Sequence, residues 1–254
     1  MLRALLVLAL AGGGPEEKVR ILVPAYFYPE GEGLRHWDRL IGAAEKAPVA
    51  AIANPASGPG KRVDPNYVKV LARAREAGVT LVGYVSTSYA KRPLADVKAD
   101  VDRWLEFYPG VRGIFFDEQA SGPDRVDHYA ALYEYARKEK KLDLVVTNPG
   151  VPCDEGYVSR PAADVVCLFE HHEGFDALKL PEWTGRYGPE RFYVLPYATP
   201  TADAMRRRAR AAVERGFAWL YMTDAGGRNP WDRLPSYWDE LVETARDLKP
   251  KGSR

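Results

Sequence analysis

A chain of 254 residues that is 46% hydrophobic and 28% charged holds the material for one large core, and this composition excludes a disordered or fibrous protein. Lys and Arg total 36 against 35 Asp and Glu, so no net field points to nucleic acid or an anionic membrane as the main partner, and a neutral ligand fits better. Two cysteines, Cys153 and Cys167, exclude a disulfide framework and a four-cysteine zinc site, leaving open one bridge or two buried thiols.

The chain opens with Arg3 ahead of an apolar run over residues 4–11, closed by Ala9-Leu10-Ala11, an A-x-A cleavage pattern. This predicts an export leader over residues 1–11, too short to span a bilayer, and a Gly- and Pro-containing tether over 12–17. A folded domain over 18–250 follows, expected to be a secreted, periplasmic or cell-surface monomer with no transmembrane segment in its mature form.

From Val19 onward, β-type apolar runs alternate with helical patterns at the spacing of a βα unit. Strands are predicted over residues 19–28, 49–54, 80–86, 113–118, 142–148, 165–170, 191–197 and 218–223. Amphipathic stretches between them include 66–77, 94–107, 125–140, 202–215 and 236–248. Pro65 suits a first helical turn, and Gly78 and Gly216 suit helix stops. Pro149, Pro152, Pro161 and Pro181 predict irregular connections with short helices in the fifth and sixth units. The eightfold alternation predicts an α/β protein, a single (β/α)₈ barrel, with an open doubly wound sheet as the runner-up. No G-x-G-x-x-G or Walker loop supports the nucleotide site that an open sheet invites.

Active groups of such a barrel come from the C-terminal strand ends, where the loops enclose one pocket. Those ends carry Tyr26 and Tyr28, Asn54, Tyr84 with Ser86, Asp117 with Glu118, Asn148, Glu170 with His171 and His172, Tyr197, and Thr223 with Asp224. Each alone has an ordinary explanation as a turn former or packed ring; their gathering on one face predicts an acidic site. Asp117 and Glu118 follow a fully apolar run, where burial and mutual repulsion raise at least one pKa, as a general acid requires. Strand alternation allows both to point inward only if the strand ends between them, so which one does is open. Glu170 closes the sixth strand and is the second carboxyl of a pair able to cleave a glycosidic bond. Tyr26, Tyr28, Tyr84, Tyr197 and Trp231 offer flat faces to sugar rings. Neighbouring His171, His172 and Glu173 lack H-E-x-x-H spacing, so no metal is expected, and no G-x-S-x-G elbow supports a serine nucleophile.

Residues 22–29, 52–60, 83–85, 110–118 and 147–150, with the Asp117-Glu118 pair and Glu170, resemble the spherulin-4-like proteins over most of residues 19–248. The resemblance implies a (β/α)₈ glycoside hydrolase making endo-cleavages in α-1,4-linked N-acetylgalactosamine or partly deacetylated galactosamine exopolysaccharide, without metal or organic cofactor. It places catalysis on Asp117, Glu118 and Glu170. The sugar site is then expected to take Tyr26, Tyr28, Asn54, Tyr84, Asn148, His171, Tyr197 and Asp224. A non-catalytic carbohydrate-binding or surface protein on the same barrel is the rival expectation, and a metal-dependent deacetylase the third.

Overall fold

The computed structural model describes residues 18–251, so the expected leader and tether lie outside the described residues. Eight strands run in chain order and all pair in parallel: β1 (Arg20–Ala25), β2 (Val49–Ala53), β3 (Thr80–Ser86), β4 (Gly113–Asp117), β5 (Leu144–Thr147), β6 (Val165–Phe169), β7 (Phe192–Val194) and β8 (Trp219–Leu220). β8 pairs back onto β1, closing the barrel and overturning the open-sheet runner-up. The short β8 does not leave a gap above it: Tyr221 N–H donates to Val194 O (3.1 Å) and Thr223 N–H to Pro196 O (3.3 Å), continuing the ladder.

Helices cover the outside: α1 (Gly31–Ala43), α2 (Pro65–Glu76), α3 (Leu94–Phe107), α4 (Val126–Glu134), α5 (Gly156–Ser159), α6 (Ala202–Glu214) and α7 (Trp238–Asp247). The sequence stretches named above do not include α1, whose short apolar face is carried by Trp37, Leu40 and Ala43. α2 begins as its sequence dictates, with the Asp64 carboxylate accepting from the N–H groups of Asn66 and Tyr67 and Pro65 in the first turn. Gly78 (φ 87°) and Gly216 (φ 93°) take the left-handed conformation that stops α2 and α6. The proline-rich fifth and sixth units carry only α5 and three single turns of 3₁₀ helix.

Tryptophans on the helices tie the outer layer to the strand ends. The Trp37 indole N–H donates to Phe27 O (3.1 Å) just past β1, and that of Trp104 to Tyr84 O (2.8 Å) within β3. Burial of one such ring contributes roughly 4–6 kcal/mol as an upper estimate. Gly83 makes the second contact possible: a Cβ there would lie 2.6 Å from the Trp104 ring. Inside the barrel, the Tyr193 hydroxyl of β7 donates to Leu22 O of β1 (2.7 Å), tying together the two strands that flank the short β8. Cys153 and Cys167 are buried free thiols, so the single bridge permitted by composition is not formed.

Candidate active site

β3 and β4 run in register, Tyr84 opposite Phe115 and Ser86 opposite Asp117, so the side chains of these four residues share one face. The Tyr84 hydroxyl donates to Asp117 Oδ2 at 2.8 Å. Plain alternation would send Glu118 to the other face. The strand instead ends at Asp117, and Glu118 has φ 54°, which turns its carboxylate back to accept from Ser86 Oγ at 2.5 Å. This resolves the question that alternation left open: both carboxylates belong to the mouth of the barrel. A non-glycine residue in this region costs roughly 1–2 kcal/mol. Bonds to the adjoining backbone offset it: Tyr89 N–H donates to Glu118 O (2.7 Å), and the Thr87 hydroxyl lies 2.9 and 2.8 Å from the carbonyl oxygens of Asp117 and Glu118. The buried Tyr129 hydroxyl, 2.6 Å from Thr87 Oγ1, accepts from Ala120 N–H and holds the same turn from below.

A second departure from regularity places Glu170. Cys167 pairs with Tyr193 and Phe169 with Val194, so β6 carries one extra residue between these pairs, a β-bulge at Leu168. Cys167 pairs with Tyr193, whose hydroxyl reaches Leu22 O within the barrel, so both side chains face inward. Strict alternation from Cys167 would carry Phe169 and His171 inward. The bulge changes the parity: Phe169 packs outward on Phe175 (5.5 Å between rings), and Glu170 turns in.

Asn148, at the end of β5, joins the two walls, its Nδ2 donating to Asp117 Oδ1 (2.8 Å) and Glu170 Oε2 (2.5 Å). The two acceptor oxygens are therefore no farther apart than those two bonds laid end to end. Burial pushes Glu170 up to about 7, with the Asp117 charge adding to it and the Asn148 amide and Trp231 indole donors opposing it. Burial also raises Asp117, against the lowering effect of the Tyr84 hydroxyl, the Glu118 backbone and Asn148. Two neighbouring carboxyls, both raised by burial and coupled by charge, are the arrangement in which one proton is held more tightly than an isolated carboxyl holds it.

Aromatic rings frame the carboxyls. Tyr26 meets Tyr84 edge to face at 5.7 Å, and its N–H donates to Trp231 O (3.2 Å), folding the loop after β8 over β1. A second run of rings comprises His171, His172, Tyr197 and Trp231, with His172 to Tyr197 and Tyr197 to Trp231 both at 5.6 Å. A hollow of about 430 Å³ opens beside Tyr26 and Tyr28, rimmed by Glu30, Glu32 and Asp232. Another, of about 690 Å³, lies at the opposite end of the barrel among Arg20, Thr80, Leu144 and Trp219. There Asp143 pairs with Arg112 and Asp164 with Arg137, and none of the expected site residues lines that hollow.

The remaining expected residues line the mouth in supporting positions. The Tyr28 hydroxyl donates to Asp64 Oδ2 and accepts from Asn66 Nδ2, both at 3.1 Å, pinning a half-exposed ring to the start of α2. Asn54 Oδ1 accepts from Gly58 N–H (2.8 Å) and shapes its own loop. Asp224 accepts from Arg233 (2.9 Å) and Ser236 N–H (3.1 Å); burial alone would raise its pKa, and these donors leave it lowered. His171 Nδ1 accepts from Glu173 N–H (3.0 Å). The hydrogen bonds of Asn54, Asp224 and His171 thus go to the surrounding loops and those of Tyr28 to the start of α2, whereas Tyr84 and Asn148 bind the carboxyls directly. Thr87, Tyr129 and the bulge at Leu168 carry no sequence signal as site residues. Ser86 shows one, two positions after Tyr84 on the same strand face.

Among solved structures, the chain is similar to Sph3 of Aspergillus clavatus in complex with GalNAc, with 25% identity, TM-score 0.77, and coverage of 91% of this chain and 98% of that one. A chitinase catalytic domain from Pyrococcus furiosus shares the fold at 12% identity and TM-score 0.57, covering 93% of this chain and all (100%) of that one. Spherulin-4 of Physarum polycephalum is 36% identical over 145 residues, 56% of this chain and 42% of that relative's length. The model of the spherulation-specific family 4 matches residues 20–245, nearly the whole barrel, and the chain belongs to that family.

Proposed function

We propose that this protein is an endo-acting glycoside hydrolase in which Glu170 is the acid and Asp117 its anionic partner. The observation that carries the reading is the single Asn148 amide nitrogen bonded to both carboxyls. It fixes them near the roughly 5–5.5 Å spacing of retaining glycosidases and well inside the about 6.5–9.5 Å of inverting ones, which leave room for a water between the pair. Glu170, holding its proton to about pH 7, protonates the leaving glycosidic oxygen. Asp117, with Tyr84 and Asn148 donating to it, bears the negative charge that meets the developing positive charge at the anomeric carbon. Glu118, steered by Ser86, adds a third carboxylate beside them.

The substrate class follows from the resemblance together with the solved relative that holds GalNAc: α-1,4-linked N-acetylgalactosamine, or its partly deacetylated form, in an extracellular polysaccharide. A protein exported by an N-terminal leader would meet such a polymer. Among the described residues no helix is long and apolar enough to cross a membrane. The test is digestion of a panel of N-acetylgalactosamine, galactosamine and N-acetylglucosamine polymers, read by mass spectrometry beside Asp117→Asn. Oligosaccharides from the galactosamine polymers with wild type alone are expected. Binding without release would replace the enzyme by the carbohydrate-binding rival.

A further inference from the structure

Three consecutive residues after β3, Ser88, Tyr89 and Ala90, have φ of 49°, 56° and 62°. A left-handed turn of three non-glycine residues, one of them aromatic, is steeply disfavoured, and such conformations persist where the surroundings over-determine them. They do so here. Tyr89 N–H donates to Glu118 O (2.7 Å), Lys91 N–H to Ser88 O (3.0 Å), and the Arg92 guanidinium to Ser86 O (2.6 Å). The turn is thus locked to the backbone of a candidate catalytic residue. What it displays is the Tyr89 ring, 54% exposed, among the most exposed large apolar side chains described. Burial does not account for a strained turn that ends in an open ring.

We propose that Tyr89 is a sugar-stacking residue, forming a subsite on the β3 side of the mouth that takes a hexopyranose ring of the polymer away from the scissile bond. The His172, Tyr197 and Trp231 rings stand on the walls after β6 to β8, so the two aromatic surfaces flank the carboxyls from different sides. Cleavage inside a chain needs sugar-binding surface on both sides of the bond. The flat apolar face of a pyranose matches a tyrosine ring, and a rigid turn holds that ring ready without ordering a loop on binding. This inference rests on the glycosidase reading above.

The test uses Tyr89→Gly and Tyr89→Phe in the full chain with α-1,4-N-acetylgalactosamine oligosaccharides of increasing length. Glycine keeps the N–H bonded to Glu118 and suits φ 56°, so the fold is retained, checked by a thermal melt no lower than wild type. The expected result for Tyr89→Gly is a rise in KM of about five- to tenfold on the longest substrates, shrinking as the substrate shortens, with Tyr89→Phe restoring the wild-type value. Equal KM for Tyr89→Gly and wild type, or the same loss in Tyr89→Phe, overturns the stacking role. Should wild type neither cleave nor bind any of these substrates, the glycosidase reading fails and takes the subsite with it.

Discussion

Glu170 is held where its charge is poorly solvated, and this has opposite consequences for activity and stability. Its pKa rises from 4.5 to about 7 in the fold, so the native state binds more protons than the unfolded chain between those values. Stability attributable to this group is therefore complete below about pH 4.5 and is lost as pH rises through about 7. Glu170→Gln, neutral at every pH, is expected to match wild type in stability near pH 4 and to exceed it at pH 8 by as much as about 3 kcal/mol, read by urea denaturation at both pH values. The same variant should lose at least about 100-fold in turnover on a natural glycosidic linkage, and wild-type activity should fall as pH rises through about 7. A variant that stays fully active would remove Glu170 from the acid role. Asp117, Glu118 and Glu170 were legible in the sequence because each ends an apolar strand. The hydrogen bonds of Asn54 and Asp224 were not, since a strand-end polar residue reads the same whether it faces a ligand or braces its loop.

At the scale of elements, two breaks in β geometry build the site, and periodicity cannot see either. The left-handed turn at Glu118 and the bulge at Leu168 each reverse the facing that alternation assigns: the first returns the Glu118 carboxylate to Ser86, and the second brings Glu170 to the Asn148 amide that also holds Asp117. Strand positions were readable because continuous apolar runs are what a parallel barrel buried on both faces requires. α1 was less so, since its apolar residues are few among Glu32, Arg35, Asp38 and Arg39. The Gly83 contact supplies a direct test of how an outer helix positions an inner side chain. Gly83→Ala forces a methyl group into the Trp104 ring, which donates to Tyr84 O, and Tyr84 in turn donates to Asp117. It is expected to cost about 1–3 kcal/mol, visible as a Tm lowered by roughly 2–4 °C per kcal/mol, and to reduce activity through displacement of Tyr84. An unchanged melt would show that α3 yields freely and does not fix β3.

For the whole molecule, the barrel separates its tasks between its ends. Ion pairs such as Arg112–Asp143 and Arg137–Asp164 close the N-terminal face, while the C-terminal face carries buried, raised carboxyls and open rings. Near-neutral charge agrees with a site whose binding relies on ring stacking and hydrogen bonds more than on a long-range field. The central claim is that Asp117 and Glu170 act as a closely spaced pair, one charged and one protonated, at a single glycosidic bond. It is tested most directly by proton NMR of the first-formed product from an α-1,4-N-acetylgalactosamine oligosaccharide, followed before mutarotation. Retention follows when Asp117 bonds the anomeric carbon on the face opposite the departing oxygen and water then displaces Asp117 from the face that oxygen left. The account predicts the α anomer as the initial product; initial release of the β anomer would contradict it and require a water between more distant carboxyls.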